Sequence, residues 1–163
     1  MTGFSYSITA LPGVPAVRPG DDLARVALDA MQAGRLAFAD GDVLVLAQKV
    51  VSKAEGRQVA LADVTPGPRA LELAAETGKD ARLVELILSE AQEVLRTRPN
   101  LIIVRHRLGL VLANAGIDQS NVGTGTGYGQ GAQALLLPLD PDASAARLRD
   151  ALQAATSKHI AVL

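Results

Sequence analysis

DVLVLAQKVVSKAEG, residues 42–56, passes within four positions from an apolar run to a polar one. Residues 43–46 are Val, Leu, Val and Leu, and a run of this length after the Asp40-Gly41 turn signal reads as a strand covered on both faces. Such a strand needs neighbours, so the stretch argues for a layered fold of helices and sheet. Gln48, Lys49, Ser52 and Lys53 follow at once. Ligands of layered α/β structures often lie beyond strand C-termini, where an ammonium is a compact partner for phosphate. Two lysines this close also suit a plain solvated edge, and at this point both readings stand.

Upstream, residues 5–10 suit a short strand, and LPGVPAVRPGDD (11–22) reads as an ordered, turn-rich loop because its prolines fix φ and its glycines free it. Asp21 or Asp22 caps a helix whose apolar stripe is Leu23, Val26, Ala27, Ala30 and Met31, and Gly34 ends it. Downstream, the VTPGP turn (64–68) precedes a helix over 69–77, with Gly78 as its stop. Asp80 then caps a helix in which Leu83, Leu86, Ile87, Glu90, Ala91 and Val94 recur at helical spacing until Pro99-Asn100 closes it. Residues 101–104 and 110–113 read as an antiparallel pair joined by a basic turn, and residues 134–138 as a further strand. Asp142 and Ser144 serve as caps of a short helix before a last apolar run, HIAVL (159–163). Helices and strands alternate only loosely, so the expected class is α+β or mixed α/β.

Composition narrows the chemistry. The 163 residues are 48% apolar but only 2% aromatic, so the core is aliphatic. Sixteen basic and seventeen acidic side chains are interspersed, which argues against a nucleic-acid or membrane footprint. There is no cysteine, hence no disulfide, thiolate chemistry or cysteine zinc site, and no run long enough to span a membrane; a soluble protein of a reducing cytoplasm is expected.

ANAGIDQSNVGTGTGYGQG (113–131) lies between two apolar runs. Its glycines let backbone N–H groups approach a bulky anion, and Asp118 offers a hard cation a carboxylate, with Ser120 and Asn121 beside it. The segment is no Walker A loop, and its GTGTGYG lacks the βαβ context of a dinucleotide fingerprint. Arg105, His106 and Arg107 sit on the turn between two strands, open to a negatively charged substrate. His106 has no carboxylate partner in sequence, and no HExxH or GxSxG hydrolase template is present.

Taken together, GVPAVRPGDDL (13–23), GDVLVLAQKVVSKAEGR (41–57), KDARLVELIL (79–88), ANAGIDQSNVG (113–123) and LLPLDPDASA (136–145) resemble the coenzyme F420-0:L-glutamate ligase family, also called gamma-glutamyl ligase. The resemblance implies a dimeric, mixed α/β enzyme that attaches L-glutamate to coenzyme F420-0 with GTP, using Mg²⁺ or Mn²⁺ and K⁺ as a helper ion. It assigns Val14, Pro15, Ala16 and Val17 to a loop lining the guanine nucleotide, and Gln48, Lys49, Lys53 and Asn121 to nucleotide contacts. Asp118 becomes a metal ligand, and Lys49, Lys53 and Asp118 the catalytic groups. Family members continue beyond the strand corresponding to HIAVL into an Asp-Thr segment with further metal ligands. Residues 1–163 are therefore expected to form the N-terminal nucleotide- and metal-binding portion, incomplete at the C-terminus and impaired or inactive alone; the alternative is a non-catalytic nucleotide-binding fragment that needs a partner chain.

Overall fold

The computed structural model describes residues 5–119 and 131–163. Among these described residues five α-helices are arranged around three small sheets, a mixed α+β architecture. The first helix, α1 (Leu23–Ala33), starts where the Asp22 carboxylate accepts from the amides of Ala24 and Arg25, satisfying donors that have no partner within the helix. Strand β1 (Val43–Leu44) leads into α2 (Gln48–Ala54), and β2 (Gln58–Ala60) follows. The run 43–46 is covered on one face rather than both: Leu44 is buried, whereas Val43 and Val45 are 51% and 70% exposed. The polar stretch after it winds into helix α2.

Helix α3 (Pro68–Thr77) uses Pro68 in its first turn and ends at Gly78, whose φ of 73° is the left-handed geometry that glycine adopts without strain. Helix α4 (Ala81–Glu90) is capped by Asp80 and stops well short of Pro99. Residues Ala91–Arg98 form strand β3, paired antiparallel with β4 (Leu101–His106), which pairs in turn with β5 (Val111–Ala113). The helical spacing of Ala91 and Val94 has another cause. Two register shifts in β3, between Ala91 and Glu93 and between Val94 and Arg96, each insert one extra residue, so Ala91, Val94 and Thr97 share the less exposed face.

Strand β6 (Gln133–Leu135) pairs antiparallel with β2, and α5 (Pro141–Thr156) starts from Asp140, two residues before the expected cap. Strand β7 (Ala161–Val162) lies parallel to β1. Residues 5–10 join no strand among the described residues, and Tyr6 and Ile8 are almost fully exposed.

Two apolar clusters hold these parts together. Leu73, Val84, Ile87, Ile102 and Val104 form the larger, under α3, α4 and the three-stranded sheet. Leu44, Leu148, Leu152 and Ile160 join α1 and α5 to the β1/β7 pair in the smaller. Each fully buried Leu, Ile or Val contributes about 1.5–3 kcal/mol relative to exposure. No helix among the described residues is long and apolar enough to cross a membrane.

Candidate active site

Helix α2 carries Lys49 and Lys53 one turn apart, so both project from one face. Asp118 reaches that face from another part of the chain: its N–H donates to Leu135 O at 3.0 Å, and its carbonyl accepts from Leu135 N–H at 2.9 Å. This backbone pairing fixes Asp118 beside β6, and its Oδ2 lies 2.7 Å from Lys49 Nζ. The pair is partly screened, with the lysine side chain 40% exposed and the aspartate 21%. Lys53 is half-buried and makes no ion pair among the described residues.

The other expected site residues divide between neighbouring positions. Gln48 donates along α2 to the hydroxyl of buried Ser52. It also lines an apolar cavity of about 550 Å³, whose wall includes Val51, Leu110, Leu137 and Leu148. Val14, Pro15 and Ala16 are exposed, whereas Val17 is buried. Their loop is tied to the end of α2 by a Gly20 N–H to Ala54 O bond of 2.8 Å. Ser120, Asn121 and the GTGTGYG stretch lie outside the described residues.

Among the described residues no three His, Asp or Glu side chains are grouped to hold a metal. Asp118 supplies a hard oxygen donor, which fits a magnesium-type ion because such an ion takes one or two carboxylates from protein and its other ligands from phosphates and water.

A second ionic cluster is structural. Glu90, nearly buried at the end of α4, receives Arg57 Nη2 at 2.8 Å on Oε1 and Arg107 Nε at 3.0 Å on Oε2. Burial disfavours its charge, but the hydrogen bonds and charges of Arg57 and Arg107 together outweigh burial and hold the carboxyl below its ordinary value. Arg57 Nε also donates to Leu137 O at 2.9 Å, and Arg107 Nη1 to Leu139 O at 2.7 Å. The segment between β6 and α5 is thereby strapped to the sheet.

His106 is fully buried here, its Nδ1 accepting from Leu108 N–H at 3.0 Å and its Nε2 lying 3.4 Å from Glu90 Oε2. Burial is the main cause pushing its pKa below 6.5, with Arg107 and Arg57 adding to it and Glu90 opposing. His106 thus faces the interior, whereas Arg107 is half-buried and held by Glu90 and Leu139 O. Arg105 is the most exposed of the three, in a 3.6 Å pair with Glu93.

The F420-0:Gamma-glutamyl ligase family model matches residues 13–163, and the chain belongs to that family. It is 43% identical over 157 residues to the coenzyme F420:L-glutamate ligase of Methanothermobacter thermautotrophicus, a match covering 96% of this chain and 60% of the relative. Identity to the protein of the same name from Archaeoglobus fulgidus is 43% over 151 residues, covering 93% of this chain and 55% of that one. For the Halobacterium salinarum protein of that name it is 46% over 151 residues, with 89% and 54% covered. The chain thus spans between half and two thirds of the length of these curated relatives.

Proposed function

We propose that residues 1–163 form the nucleotide- and metal-binding portion of a ligase that joins L-glutamate to coenzyme F420-0 using GTP. The observation that carries this reading is the 2.7 Å approach of Lys49 to Asp118 in a chain of this family. A carboxylate does not condense usefully with an amine in water, so the acid must first be activated. Its oxygen attacks the γ-phosphorus of GTP, GDP leaves, and an acyl phosphate results. The glutamate amine then attacks the acyl carbon, a C–N bond forms, phosphate departs with its oxygen, and the amine proton is lost to solvent.

In this scheme Lys49 and Lys53 contact the phosphates and offset charge developing on the transferring oxygens. Asp118 holds Mg²⁺ or Mn²⁺, and such an ion, when bound, neutralises phosphate charge. Val14, Pro15, Ala16 and Val17 line the guanine, while Gln48 and Asn121 complete the nucleotide contacts. K⁺ assists as a helper ion, and the protein works as a cytoplasmic homodimer.

A second reading is favoured by one observation: among the described residues no three His, Asp or Glu side chains are grouped to hold a metal. On it, the chain binds the nucleotide and a partner chain completes the metal site. Incubation with GTP, L-glutamate, Mn²⁺ and coenzyme F420-0, followed by mass spectrometry of the deazaflavin, separates the two. A glutamyl mass increment supports a self-sufficient ligase, and GTP binding without product supports the second reading. Absence of both would overturn the whole proposal.

A further inference from the structure

One residue short of Asp118 the backbone holds three left-handed residues in succession. Asn114, Ala115 and Gly116 have φ of 50°, 54° and 67°, and the first two carry a Cβ that this region disfavours. Strain of this kind persists where the surroundings over-determine it, and it gathers at functional sites.

Three contacts impose it here. The Asn114 side-chain oxygen accepts from Ile102 N–H of β4 at 3.1 Å. Ala115 is buried in the larger core. Gly116 faces Leu112 and Leu137, whose methyl carbons would stand 3.3 and 3.2 Å from a Cβ at that position. Ile117 N–H closes the turn onto Asn114 O at 3.1 Å, and the next residue is Asp118, already paired with Leu135.

We propose that Asn114 is a positioning residue: its carboxamide, gripping the Ile102 amide, fixes the left-handed turn that delivers the Asp118 carboxylate to Lys49. The inference rests on the reading of that pair as a GTP and metal site. It is specific about chemistry, because two properties of asparagine are used together. Asn tolerates the left-handed region and supplies an acceptor; Asp does both, Gly does only the first, and Ala supplies no acceptor and enters the region only at a cost.

The test uses the 163-residue chain, with GTP affinity measured by calorimetry with and without Mn²⁺, and folding checked by circular dichroism. Asn114→Ala and Asn114→Gly should each lose at least ~tenfold in Mn²⁺-dependent GTP affinity. Affinity without Mn²⁺ should stay within about twofold, and Asn114→Asp should restore Mn²⁺-dependent affinity to within about threefold. Undiminished Mn²⁺-dependent affinity in Asn114→Gly would overturn the inference alone, as would equal losses with and without the metal, which mark general loosening. Absence of Mn²⁺-dependent GTP binding by the unsubstituted chain would overturn the reading of the site, and this inference with it.

Discussion

Lys49 and Asp118 meet through an ammonium–carboxylate contact of 2.7 Å, although one sits in the first turn of a helix and the other on an isolated bridge to β6. A half-screened pair of this sort adds only about 0–1 kcal/mol to stability. Replacing Lys49 with Met or Asp118 with Asn should therefore shift the urea midpoint slightly, by less than about 1 kcal/mol of stability. A loss several times larger would make the pair a structural element.

The Glu90 cluster should behave in the opposite way. Arg57 and Arg107 both converge on its nearly buried carboxylate, so Glu90→Ala leaves two guanidinium groups without their common counter-ion. Breaking a buried pair by removing one partner costs about 3–5 kcal/mol. Urea denaturation should show a loss of that order, and a cost below about 1 kcal/mol would contradict the description of Glu90 as the tie between sheet and strap.

Acid stability follows from the same groups. His106 titrates below 6.5 in the fold, chiefly because burial disfavours its cation, so the unfolded chain binds the proton more readily. The stability this contributes is present above about pH 6.5 and declines as pH falls below that value. Glu90 is also depressed, from an ordinary 4.5; its contribution is present above that value and is lost as pH falls through the lower folded value. Unfolding free energy should thus fall in two stages on acidification, and His106→Gln should remove the earlier one. A profile flat from pH 7 to about pH 5 in the unsubstituted chain would contradict the buried neutral histidine.

Two glycines separate backbone strain from crowding. Gly13 and Gly116 have φ of 70° and 67°, but a Cβ at Gly13 meets nothing within 4 Å, whereas one at Gly116 meets two leucines. Gly13→Ala should cost about 1–2 kcal/mol, the left-handed penalty alone. Gly116→Ala should cost about 1–3 kcal/mol more through overpacking. Equal melting shifts for the two variants would show that the leucines yield freely.

The caps at Asp22, Asp80 and Gly78 and the hairpin from β4 to β5 were legible in the sequence because local chemistry decides them. The helix-like spacing through Val94 misled because two bulges make a strand present every third residue to the interior. The run 43–46 concealed its alternation, since valines occupy the exposed positions as well. His106 left a readable signal: Ile102, Val104 and His106 alternate along β4 and all three are buried. Its partners Arg57 and Glu90 did not, because they come from parts of the chain outside β4 and its turn. The convergence of Lys49 and Asp118 followed from resemblance to a family, as no spacing rule joins positions so far apart.

The most direct test of the site is calorimetric titration of GTP into the chain with Mn²⁺ present, comparing the unsubstituted protein with Asp118→Asn. If Asp118 holds the ion against the phosphates beside Lys49, the substitution should weaken binding at least ~tenfold, about 1.4 kcal/mol, with the fold intact by circular dichroism. Equal affinity in the two proteins would contradict that role.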